Sequence, residues 1–190
     1  MKIEHLFKSK AHDIKGLFEK TNKLSTFMNK LQKQSVLKPD RYDPDKYVGD
    51  GFEMLIEILI KSHAYDNRFG LTDYHPIQVN DNGVDGVGYN ISGEKSVVQI
   101  KFRSKTDSVL TATSDHLDSM VTEGMVTHDV ILEKKKPVKR HFIFTTAKDL
   151  HHYTNDIKFQ KTVKCVGYDD LRGLLDNNIS FWNLCRELIK

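Results

Sequence analysis

Gly83-Val84-Asp85-Gly86-Val87, followed across a short turn by Val97-Val98-Gln99-Ile100-Lys101, is the stretch on which the fold turns. Val84 to Asn90 alternates in polarity, Ser92-Gly93-Glu94-Lys95 is a turn cluster, and Ser96 to Phe102 is apolar and β-branched, so the lettering predicts a hairpin. Strand side chains alternate between faces. Gln99 and Lys101 therefore share one face, and Val98, Ile100 and Phe102 share the other. An acid on one strand then stands beside a Gln-x-Lys on the next. Each residue also has a plainer reading. Asp85 between two glycines suits a turn, and Lys101-Phe102-Arg103-Ser104-Lys105 suits a solvated strand edge.

Taken together, the three polar groups suit hydrolysis of a phosphodiester. The diester is anionic and repels hydroxide, so an efficient site uses a divalent cation to neutralise charge and activate water. Hard cations such as magnesium take oxygen ligands. Asp85 is the expected central ligand, with the side-chain oxygen of Gln99 and the backbone carbonyl of Ile100 as further donors. Lys101 is expected to orient the attacking water or stabilise transition-state charge.

These residues resemble the PD-(D/E)XK, or restriction-endonuclease-like, superfamily, and within it the Mrr-like branch, in which Gln-x-Lys replaces Glu-x-Lys. The resemblance covers most of the chain after about residue 48. Gly49-Asp50-Gly51-Phe52-Glu53 resembles the branch's helical Gly-x-x-Phe-Glu, which makes Glu53 the matching acid. Phe142-Ile143-Phe144-Thr145-Thr146 resembles its later buried strand ending in a Thr pair, and Thr162 to Gly167 with Tyr168-Asp169-Asp170-Leu171 its last core strand and following helix. No proline precedes Asp85, so the name-giving Pro-Asp is missing. The resemblance implies an α/β sandwich with a mixed central sheet flanked by helices, and a DNA endonuclease dependent on Mg2+, with Mn2+ as a possible substitute. Its catalytic set is Glu53, Asp85, Gln99 and Lys101, and Glu53, Asp85, Gln99 and Ile100 would hold the metal, Glu53 directly or through water. A phage or mobile-element nuclease is the expected setting. The alternative is a non-catalytic DNA-binding or assembly module that keeps the fold.

Charge is unevenly spread. Residues 1–38 carry nine lysines against Glu4, Asp13 and Glu19, an excess of six, in a chain whose net charge is +3. Ile14, Leu17, Phe18, Leu24, Phe27, Met28 and Leu31 are spaced for a helical apolar stripe. This basic segment is expected to touch DNA, to mediate a homodimer, or only to present a solvated lysine face. In the first case its removal weakens DNA binding and flattens the salt dependence. Two prolines at 39 and 44 mark a break before the nuclease-like region, 45–190. Arg103, Lys105 and the basic run Lys134, Lys135 and Lys136 are candidate phosphate contacts, and a solvated charge run accounts for that stretch equally well.

A helix is predicted from Asp45 or Tyr47 to about His63, an irregular stretch over 64–76 and a short strand at Ile77-Gln78-Val79. Next come a loop and helix over 107–124 carrying Leu117, Met120 and Val121, a strand over 140–146, and helices over 147–155, 169–175 and 181–189. Two cysteines, Cys165 and Cys185, form no disulfide framework and suit packing. The nine histidines show no metal-ligand spacing. No apolar run is long enough to span a bilayer, and a cytoplasmic setting with no membrane partner is expected.

Overall fold

The computed structural model describes residues 1–77, 83–111, 117, 138–151 and 163–190. Four helices come first: α1 (Phe7–Lys10), α2 (Ile14–Phe18), α3 (Leu24–Ser35) and α4 (Pro44–Ser62). Strands β1 (Asp73–Pro76), β2 (Gly86–Tyr89), β3 (Lys95–Lys101), β4 (Val109–Thr111), β5 (Val138–Thr145), β6 (Asp149–His151) and β7 (Val163–Val166) follow, and α5 (Tyr168–Leu175) and α6 (Ile179–Leu188) complete the order. The protein is α/β. Its five-stranded sheet runs β1-β2-β3-β5-β7, antiparallel over the first three strands and parallel from β3 onward, which makes it mixed.

Helix α4 is the axis of the main core. Asp43 caps it by accepting from the Lys46 amide at 2.8 Å, and Pro44 supplies a pre-set first turn. Tyr47, Phe52, Met54, Leu55, Ile56, Ile58, Leu59 and Ile60 are all fully buried, so the helix is apolar nearly all round. Such a helix must be covered on every side. Val98, Ile100, Phe142, Phe144 and Val166 of the sheet cover it from one direction, and Phe7, Leu17, Phe18, Leu24, Phe27 and Leu31 of the first three helices from another. The apolar stripe of residues 14–31 thus enters the same core as the sheet, while most of its lysines point outward.

On the opposite face of the sheet, Val87, Val97, Ile143 and Val163 meet Leu110, Leu117 and Leu150 in a second, smaller core. There β4 and β6 pair in parallel as a separate two-stranded sheet. Alternation along β3 is therefore as expected: Val98 and Ile100 face α4, and Val97 faces the second core.

Several predicted elements differ. The first strand is Asp73–Pro76, in the stretch read as irregular, because the Tyr74 ring is buried and the strand pairs with Gly86–Tyr89. Of the strand expected at 77–79, only Ile77 lies within the described residues, just beyond β1. Residues 149–151 form a strand where a helix was expected, since Leu150 is pinned in the second core and paired to Leu110. Residues 109–111 likewise pair as a strand where a loop was expected. Leu117 is buried in that core, but Met120, Val121 and the other helix positions over 118–124 fall outside the described residues, as do 152–155. The basic segment read as helical resolves into three helices broken at residues 11–13 and 19–23.

Candidate active site

Asp85 sits one residue before β2 and is held on three sides. Its amide donates to the Val98 carbonyl at 2.9 Å, its carbonyl accepts from the Ile77 amide at 2.9 Å, and its Oδ2 accepts from the Ile100 amide at 2.5 Å. Its backbone is tied on both sides and its carboxylate to β3, so the side chain is held in place. The next residue has to be glycine: a Cβ on Gly86 would lie 2.3 Å from the Tyr74 hydroxyl and 2.4 Å from its ring. Tyr74 therefore packs close beside Asp85. Burial, followed by the charges of Asp85 and Glu53, pushes its phenol well above the ordinary value and keeps it neutral.

A cavity of about 750 Å³ opens over this point and is lined by Glu53 from α4, Asp85, and the run Ile100, Lys101, Phe102, Arg103 and Ser104. Its far wall is Gln32, Ser35 and Val36 at the end of α3, with Pro44, Asp45, Val48 and Gly49 at the start of α4. Sequence-distant residues 53, 85 and 101 are thus brought to one place. Asp45, Glu53 and Asp85 face Lys101 and Arg103 across it, leaving the lining one charge negative. A phosphate would meet net repulsion there unless a cation accompanied it.

Gln99 is not on the cavity surface. Its side chain is fully buried one pair inward from Lys101, and neither its Oε1 nor its Nε2 has a hydrogen-bond partner among the described residues. An unpaired buried amide is costly and calls for a physical reason. Lys101 and Arg103 are fixed from the neighbouring strand. Thr145 Oγ1 donates to the Lys101 carbonyl at 2.8 Å; Thr146 Oγ1 accepts from the Arg103 amide at 2.6 Å and donates to its carbonyl at 2.7 Å. Both threonines are fully buried. Their sequence pattern predicts a strand end, and only the structure reveals them as the clamp on the lysine-bearing segment.

The Lys101 ammonium makes no ion pair among the described residues. Arg103 lines the cavity and Lys105 is exposed beside it, whereas Lys134, Lys135 and Lys136 lie outside the described residues. Glu53 has one engaged oxygen: His5 Nε2 lies 2.9 Å from its Oε2. No motif links residues 5 and 53, so sequence reading does not find this pair.

The donor set suits a hard cation. Among the described residues no cluster of three or more histidine, cysteine or acidic side chains is placed to hold a metal. The two cavity carboxylates, Glu53 and Asp85, are instead the kind of sparse oxygen set that magnesium accepts while keeping several waters. Burial pushes the Cys165 thiol up to about 12 and Cys185 higher still, which makes both poor ligands and poor nucleophiles. No helix among the described residues is long and apolar enough to cross a membrane. Comparison with protein-family models, curated proteins and solved structures finds no match to this chain.

Proposed function

We propose that this protein is a metal-dependent DNA endonuclease with a restriction-endonuclease-like fold. The convergence of Glu53, Asp85 and Lys101 supports the reading most strongly, because three residues separated in sequence line one cavity. Asp85 and Glu53 are the carboxylates that would hold a magnesium ion, with the Ile100 carbonyl as a neutral donor, while Gln99 does not line the cavity. Magnesium, or manganese in its place, would supply charge neutralisation and an activated water. Asp85 is held by the Ile100 amide, so its carboxylate keeps one direction. Lys101 places a positive charge beside the same opening, where it orients water and offsets the charge of the five-coordinate phosphorus. Arg103, carried on the threonine-clamped segment, is the nearest candidate for a flanking phosphate.

Incubation of the chain with supercoiled plasmid and Mg2+, scored for nicked and linear products beside Asp85→Asn, tests the reading. Cleavage by the parent chain and its loss by at least about 100-fold in the variant are expected. Equal cutting by the two proteins would sink the assignment. DNA binding by both without cutting by either would favour a non-catalytic module on the same fold.

A further inference from the structure

We infer that His5 is a positioning residue for Glu53: it holds one oxygen of this candidate ligand so that the other faces the cavity. Glu53, Glu57 and Lys61 recur every fourth residue along α4 and form one column on its surface. Glu57 is fully buried. It accepts from the Glu4 amide at 2.8 Å, the His5 amide at 3.0 Å and Lys61 Nζ at 2.6 Å. Lys61 also donates to the Lys2 carbonyl at 3.2 Å and to Glu4 Oε1 at 2.9 Å. Residues 2–5 are therefore pinned along α4 one turn beyond Glu53, and the buried His5 ring is delivered to it.

The tautomer follows from the partners. His5 Nδ1 lies 3.2 Å from the Phe7 amide, a group that can only donate, so Nδ1 is the acceptor and Nε2 carries the hydrogen. Nε2–H therefore donates to Glu53 Oε2 at 2.9 Å. The second oxygen of Glu53 has no partner among the described residues, and the side chain lines the cavity. A donor behind a ligating carboxylate fixes its orientation, and loss of such a partner typically lowers metal affinity about 10- to 100-fold. Residues 1–5 thereby become part of the site while lying outside its motif.

The inference rests on the metal-site reading above, and the experiment separates the two. Mn2+ binding to the full chain is followed by electron paramagnetic resonance for the parent, Asp85→Asn, His5→Phe and His5→Gln, with thermal melts alongside. His5→Phe keeps a buried ring without the donor, and should weaken Mn2+ binding about 10-fold or more. His5→Gln can still reach Glu53 with an N–H and should recover most of that loss. Parent affinity in His5→Phe overturns the inference alone; absence of Asp85-dependent binding in the parent overturns the metal reading and the inference together. Histidine-ring 15N spectra of the parent chain need no variant to fold. Titration with Mg2+ should shift the His5 Nε2–H signal, and an unmoved signal at a Mg2+ concentration that saturates the site overturns the inference.

Discussion

Lys101 and His141 show how differently two polar side chains on one sheet face are treated. Lys101 ends β3 at the cavity with its ammonium unpaired among the described residues, so its removal opens no buried hole. Lys101→Ala should reduce cleavage at least about 100-fold while Mn2+ affinity and melting temperature stay close to the parent values. Lost metal binding would show instead that Lys101 shapes the site. His141 pairs with Val97 across the β3–β5 ladder and is buried with neither ring nitrogen hydrogen-bonded among the described residues. Burial holds its pKa below the ordinary 6.5. The unfolded chain thus takes up a proton near 6.5 that the folded chain accepts only at lower pH. The stability tied to His141 is complete above 6.5 and falls as the pH drops from there through the folded value. His141→Leu should raise stability at neutral pH by about 1–3 kcal/mol and flatten the decline on the acid side of 6.5. Urea unfolding at two pH values measures both, and an unchanged slope would place the titration elsewhere.

Among the elements, α4 is the one whose packing and chemistry cannot be separated. Its apolar residues read directly as a helix from their spacing, and Asp43-Pro44 reads as its start. Glu57 does not read as anything in the sequence, since an acid among Ile56 and Ile58 gives no sign of what lies opposite. In the fold it is the buried anchor for residues 4 and 5 and for Lys61. Glu57→Ala should cost about 2 kcal/mol or more, because it leaves the Glu4 and His5 amides unpaired and takes one of its two carboxylates from Lys61. Urea denaturation measures this, and a loss below about 1 kcal/mol would mean that the segment is held by its apolar contacts alone. Strands β4 and β6 do not read from the sequence for a related reason. Each is three residues long and owes its form to the other, so neither carries a local signal strong enough to outweigh the turn residues around it.

At the scale of the whole molecule, residues 1–38 belong to the main core. Their lysines give the segment a basic outer face, and Phe7, Leu17, Phe18, Leu24, Phe27 and Leu31 are all at most 1% exposed and complete the core around α4. Each such side chain contributes about 1.5–3 kcal/mol on burial, and six together rival the whole stability of an ordinary domain, about 5–15 kcal/mol. A chain lacking residues 1–38 should therefore fail to unfold cooperatively in a thermal melt. A sharp transition in the truncated chain would show that the remainder folds without this segment and make DNA-binding salt dependence the next measurement. What the amino-acid sequence determined by itself was the alternation that puts Gln99 and Lys101 on one face, the extent of α4, and Asp85 and Glu53 as the acids to watch. These are local properties of period and spacing. Only the tertiary structure decided that α3 and α4 wall the cavity, that Thr145 and Thr146 clamp residues 101–103, that Gln99 is buried without a partner among the described residues, and that His5 reaches Glu53. Each of these depends on which distant surfaces are driven together to bury apolar area, a choice that no short stretch of the chain encodes.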